Sequence, residues 1–262
     1  MVNSGKPQTK LRMADPLHAR LFPSGNGAFA TTHWSVVLLA GQESKVPEAR
    51  EAFARVYLDY WYPLYAYVRR RGYTPHNAED ITQDFFLHLM GKKSLQGLEQ
   101  SGGRFRSFLL RSLDNFLANE WDRRHAQKRG DGQPLLSLDV ADGEAKYSLV
   151  PPDRDTPETL FERQWVFTLL AKVLEQLRKE CAATGKSGLF EDVRLHLQGD
   201  RQGPPYAEVA ARQGMSEGAV KVTVHRLRQR YVELLREEIA RTVGSPEEVE
   251  DELRHLITLS AR

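Results

Sequence analysis

From Tyr206 to Arg230 the chain reads YAEVAARQGMSEGAVKVTVHRLRQR, a run whose residue types and spacing suit contact with duplex DNA. Val209 and Ala210 make its first half apolar, and Gly214 supplies a left-handed turn position that a β-carbon would penalise. Met215 plugs the corner, and Ser216 is a good N-cap for a second helix. In that helix Val220, Val224 and Leu227 recur at i, i+4 and i+7 and share one face. The opposite face carries Gly218, Val222, His225 and Gln229, flanked by Lys221, Arg226 and Arg228. One packed face and one small, basic, exposed face are what a major groove admits. The pattern predicts a helix-turn-helix.

Two further constellations lie upstream. In AEDITQDFF, Asp80, Gln83 and Asp84 fall at i, i+3 and i+4 and, with Glu79 beside them, form one acidic helix face. Ile81, Phe85 and Leu89 turn inward. An acidic patch on a firm apolar seam suits docking on a basic partner, and a merely solvated helix face would have the same pattern. In FRSFLLRSLDNFLANEWDRRHAQKR, Arg106, Arg111, Arg123, Arg124, Lys128 and Arg129 outnumber Asp114, Glu120 and Asp122. Cations that track phosphates, alternating with aromatic faces, hold single-stranded DNA. Phe105, Phe108, Leu109, Ser112 and Phe116 lie near one face as core, whereas Trp121, near the basic end, is the candidate base contact.

Catalytic signatures are absent. Gly91-Lys92-Lys93-Ser94 lacks the upstream glycine of a phosphate-binding loop, because Phe86 stands there, and it lacks the preceding strand. The histidines form no His-Glu-x-x-His pair and no Cys/His cluster, and Gly-x-Ser-x-Gly is missing. No catalytic residue, metal site or cofactor is expected.

The elements that position these residues are helices. The 262 residues are enough for two small domains, and 40% hydrophobic with 27% charged residues describes an ordinary soluble protein. A net charge of +2 confines nucleic-acid contact to local clusters. The single cysteine, Cys181, excludes an internal disulfide framework and fits a reducing cytosol. No apolar run is long enough to span a bilayer and the N-terminus lacks an apolar signal core, so a cytoplasmic protein is expected.

The expected architecture is all-α, two small helical domains joined by a flexible acidic linker. Residues 1–30 read as a disordered arm, 31–129 as the first domain and 130–159 as the linker. Residues 160–243 form the second domain with the helix-turn-helix, and 244–262 an acidic C-terminal helix.

In this order the three motifs resemble the extracytoplasmic-function (ECF) group of bacterial RNA polymerase sigma factors, in a long-form branch. AEDITQDFF is similar to the family's Ala-Glu-Asp-x-x-Gln-Asp/Glu-x-Phe motif, and FRSFLLRSLDN to its Phe-Arg-x-Trp/Phe-Leu-x-Arg segment with a later Asn. Tyr206 to Arg226 resembles its helix-turn-helix without a gap. The resemblance implies that Glu79, Asp80, Gln83 and Asp84 dock on the β′ coiled coil of core RNA polymerase. It implies that Arg106, Arg111, Asn115, Trp121, Arg123, Arg124 and Lys128 lie in the segment that melts the −10 promoter element. Ser216, Lys221, Val222, His225, Arg226 and Arg228 match the surface that reads the −35 element.

A linker of about 30 residues reaches on the order of 100 Å, and two promoter elements about two duplex turns apart are separated by on the order of 70 Å. The longer segments 91–103 and 182–205, the N-terminal arm and the C-terminal helix depart from the compact family pattern. The regulator is left open between an anti-sigma factor, a kinase and that extra helix. The alternative function is a free-standing helix-turn-helix regulator, and a third is a protein–protein adaptor.

Overall fold

The computed structural model describes residues 33, 47–91, 103–126, 140–150, 155–197 and 203–260. Within them the fold is all-α, with α1 (Pro47–Arg70), α2 (Pro75–Met90), α3 (Phe105–Ala126), α4 (Val140–Ser148) and α5 (Pro157–Ala183), then α6 (Ser187–Leu197), α7 (Tyr206–Gln213), α8 (Glu217–Ala240) and α9 (Glu248–Ser260). The predicted arm lies outside the described residues.

The centre of the molecule is α1. Phe53, Val56, Tyr57, Tyr60, Trp61, Leu64, Tyr65 and Val68 recur every three or four residues and are buried, and so are Ala66 and Tyr67 between them. So broad an apolar surface needs several neighbours to cover it, while the strip of Glu51, Arg55 and Leu58 stays exposed. Helices α2, α4 and α5 cover it, and α1 with α5 is the most extensive helix pair in the fold. Pro63 lies inside α1, and the cost of its missing N–H is carried by the aromatic residues buried around it. On α5, Phe161, Trp165, Leu169, Val173, Leu177 and Cys181 form an unbroken i, i+4 stripe, every one of them buried. Thr156 starts this helix by accepting the N–H of Thr159 at 3.2 Å, with Pro157 in the first turn.

Two expectations are corrected. The first is the separation of the halves. One hydrophobic core runs through α1, α2, α3, α5, α8 and α9, so residues assigned to two domains share it. Tyr60 stacks on Trp165 at 6.2 Å, and Lys172 on α5 reaches Asp59 on α1 at 2.7 Å and Glu238 on α8 at 2.9 Å. The physical reason is the α5 stripe, which is too long for the small cluster around α7 to cover.

The second correction concerns residues 130–159. Where a flexible linker is expected, residues 140–148 form α4. Gly143 lies against the Trp61 ring, and Glu144 accepts from Arg69 (Nη2, 2.7 Å; Nε, 3.0 Å) and from the Tyr65 hydroxyl at 2.5 Å. The Arg69 guanidinium beside Glu144 holds that carboxyl below its usual range. Acidic composition signalled a solvated chain, but one acidic residue has a specific cationic partner. Helix α9, whose role the sequence left open, packs into the same core. Leu253, Leu256 and Leu259 are buried in the common core.

Candidate nucleic-acid interface

Around α7 and the first half of α8 a second, smaller core forms from Leu189, Val193, Val209, Ala210, Val220 and Val224. Gly214 ends α7 at φ +62°, and its N–H bonds to the Ala210 carbonyl. Met215 donates to the same carbonyl at 3.0 Å and is partly buried against this core. Ser216 caps α8 by accepting the N–H of Ala219 at 3.2 Å. These contacts turn the chain sharply and rotate α8 so that Val220 and Val224 face inward.

The outward face of α8 is left open. Lys221, Val222, His225, Arg226, Arg228 and Gln229 are exposed, and Val222 retains 51% of its surface. An exposed valine beside cations offers a methyl-sized contact flanked by phosphate-seeking charge. Lys221 holds Glu217 at 2.6 Å. Arg226 has no ion-pair partner among the described residues. Arg228 is directed elsewhere, because its Nη2 donates to the His196 carbonyl at 2.7 Å and braces the end of α6. Arg230 is likewise engaged, with Glu180, Glu233 and Glu237 around it.

The acidic face of α2 also has firm backing. Thr74 caps the helix ahead of Pro75, and Ala78, Ile81, Thr82, Phe85, Phe86 and Leu89 are buried beneath it. Glu79, Asp80 and Gln83 are half-buried and Asp84 is exposed. Asp80 lies 3.5 Å from His76, and Gln83 donates to Glu79 at 3.2 Å. Burial, with Asp80 adding to it, raises the Glu79 carboxyl above its usual range.

The third constellation divides. Arg111 and Asn115 are exposed on α3, while Phe105, Leu109 and Phe116 are buried. The backbone of Trp121, Arg123 and Arg124 continues α3. Lys128 lies outside the described residues. Arg106 is a correction, since its side chain is 1% exposed and this conformation offers it no nucleic acid.

Arg106 forms an ion pair with the equally buried Glu252 of α9, lies 3.6 Å from Glu162 of α5, and sits 4.9 Å over the Trp165 ring. Burial pushes its pKa down to about 10. A signal for this cluster was present in the sequence. Arg106 shares the helical stripe of Leu109 and Leu113, and Glu252 shares that of Val249, Leu253 and Leu256. Two opposite charges on two apolar stripes are accommodated if the stripes face each other.

Among the described residues no cluster of His, Cys, Asp and Glu is arranged to hold a metal ion, and no helix is long and apolar enough to cross a membrane. No protein-family model matches the chain, and comparison with curated proteins and with solved structures likewise gives no match.

Proposed function

We propose that the chain is a sigma factor of the ECF type, which binds core RNA polymerase and directs it to promoters. On this reading α7, the Gly214 turn and α8 act as a helix-turn-helix. Lys221, Val222, His225 and Arg226 read the −35 element, and the exposed residues of α3 engage the −10 region. Arg228 positions α6 and stays off the bases. The protein catalyses nothing and needs no cofactor. The observation that carries the reading is the combination, on one chain, of two chemically opposite exposed faces with rigid apolar backing. The acidic face of α2 suits a basic protein surface, and the basic face of α8 suits duplex DNA.

The reading requires the closed arrangement to open. With α4 held on α1, only the residues between Ser148 and Pro157 tether the second half, and they add about 30 Å of reach. Promoter elements on the order of 70 Å apart need the longer span that α4 provides when released.

The test is co-purification with core polymerase followed by transcription from genomic fragments. Initiation at defined promoters is expected, and its absence on every fragment overturns the reading. Reversing charge at Asp80 and Asp84 to lysine should abolish polymerase capture while circular dichroism stays unchanged. A free-standing regulator would be indifferent to that change.

A further inference from the structure

The Arg106–Glu252 pair is unusual in where its two members come from. Arg106 lies in the first turn of α3, in the segment that the proposed function assigns to the −10 strand. Glu252 lies on α9, outside every motif that supports that function. The carboxylate occupies the place beside the guanidinium that a phosphate would take, and Arg104 holds its other oxygen at 2.7 Å. The same turn of α3 is tied to the second half through its backbone, because the Phe105 N–H donates to the Thr242 carbonyl at 2.9 Å. A helix N-terminus and its cations, the natural receptors of a polyanion, are thus filled by the chain's own C-terminal third.

The chemistry of this contact favours separation over permanence. A buried ion pair adds little net stability compared with apolar packing, since both groups regain full hydration when they part. An all-leucine junction would have no such return. Around the pair, Lys172 on α5 adds one polar bridge between the halves, to Asp59 on α1 at 2.7 Å, and His255 of α9 lies 3.3 Å from Glu162 of α5, alongside the shared hydrophobic core.

The geometry points to α9 as an internal clamp, in which Glu252 stands in for a nucleic-acid phosphate and withholds Arg106 and the start of α3 from single-stranded DNA until α9 is released. This inference rests on the proposed function for the nature of the ligand, but the clamp itself can be measured without polymerase or promoter.

Two full-length variants test it, Glu252→Gln and Leu256→Ala. The first removes the phosphate surrogate. The second loosens α9 without altering charge, so any gain in DNA binding cannot come from net charge alone. Hydrogen exchange at the amides of residues 105–109 and binding of a fluorescent single-stranded oligonucleotide are measured together, with circular dichroism as the check on folding. Both variants should exchange about tenfold faster in that turn and bind the oligonucleotide more tightly than the wild type. Adding Arg106→Met to Leu256→Ala should return oligonucleotide binding to the wild-type level. Unchanged exchange in two folded variants overturns the clamp, whatever the protein does with polymerase. Faster exchange without any gain in oligonucleotide binding overturns the phosphate-surrogate role and, separately, the assignment of this segment to the −10 strand.

Discussion

Replacing Gly143 by leucine has opposite consequences for a docked and a free α4. In a free helix, leucine for glycine is favourable by about 1 kcal/mol, because glycine costs more backbone entropy. In the structure a β-carbon at Gly143 would lie 3.0 Å from Cη2 and 3.1 Å from Cζ3 of Trp61. The indole cannot retreat, being buried and stacked on Tyr65 at 5.2 Å. Helix α4 then either stays and absorbs an overpacking cost of about 1–3 kcal/mol, or it lifts away. Lifting forfeits the Arg69–Glu144 pair and the Tyr65 hydrogen bond, about 1 kcal/mol each for partly exposed partners.

Either way, the docked state weakens despite the gain in helix propensity. Amide protection across residues 140–148 should fall by about tenfold, the ratio equivalent to about 1.4 kcal/mol, in hydrogen exchange followed by mass spectrometry. Gly143→Ala, which adds only the β-carbon, should fall between the wild type and Gly143→Leu. Protection equal to or above wild type in the leucine variant would refute the docking of α4. It would also remove the reason to think that the reach of the tether is controlled.

Further outcomes follow from the same geometry. His33 is buried beside Lys172 and Arg241, with Asp59, Tyr60 and Glu238 also facing it. Burial first, then those two cations, lower its pKa from 6.5 to about 3, so its 3.9 Å approach to Asp59 is not an ion pair at neutral pH. The unfolded state therefore takes up a proton that the folded state refuses. Stability is fully present above pH 6.5 and is lost as pH falls toward 3, at no more than about 1.4 kcal/mol per pH unit. Asp59, raised by burial, works in the opposite sense, so the check is the difference in denaturant midpoint between wild type and His33→Asn from pH 7 to pH 5. That difference should shrink on acidification, and a constant difference contradicts the burial argument. On α8, Arg226→Ala should weaken binding to a −35 duplex by about 1–3 kcal/mol in an anisotropy titration. Lys221→Ala should cost less, because Lys221 exchanges Glu217 for phosphate, and Glu217→Gln should tighten binding.

Where chemistry depends on local spacing, the residues themselves were legible in the sequence. Val220 and Val224 lie inward and Lys221, Val222, His225 and Arg226 outward because a four-residue repeat determines which side of a helix meets the core. The Gly214 conformation and the Ser216 cap are equally local, since each depends on one residue's backbone and its hydrogen bond three to five positions away. The acidic side of α2 is local in the same way. The placement of Arg106 could not be obtained by counting cations, because a cation on an apolar stripe has two solutions, a bent path to solvent or a buried partner. Only the position of Glu252, far along the chain, selects between them.

By itself the sequence showed that the described residues outside α4 are helical and which face of most of those helices is apolar. These follow from periodicity and turn chemistry, which operate within a few residues. Tertiary structure alone decided what those faces meet. The α5 stripe from Phe161 to Cys181 has no preferred partner by pattern, and shape selects α1, where Trp165 stacks on Tyr60. Gly143 in an acidic, proline-flanked stretch became a docking point because an indole lies where its side chain would be. Helix α9, apolar on one side like any surface helix, became part of the core because Leu253, Leu256 and Leu259 are buried in it, and it brings one carboxylate to a guanidinium that water cannot reach. Such pairings join residues far apart in the chain, and no local pattern encodes them.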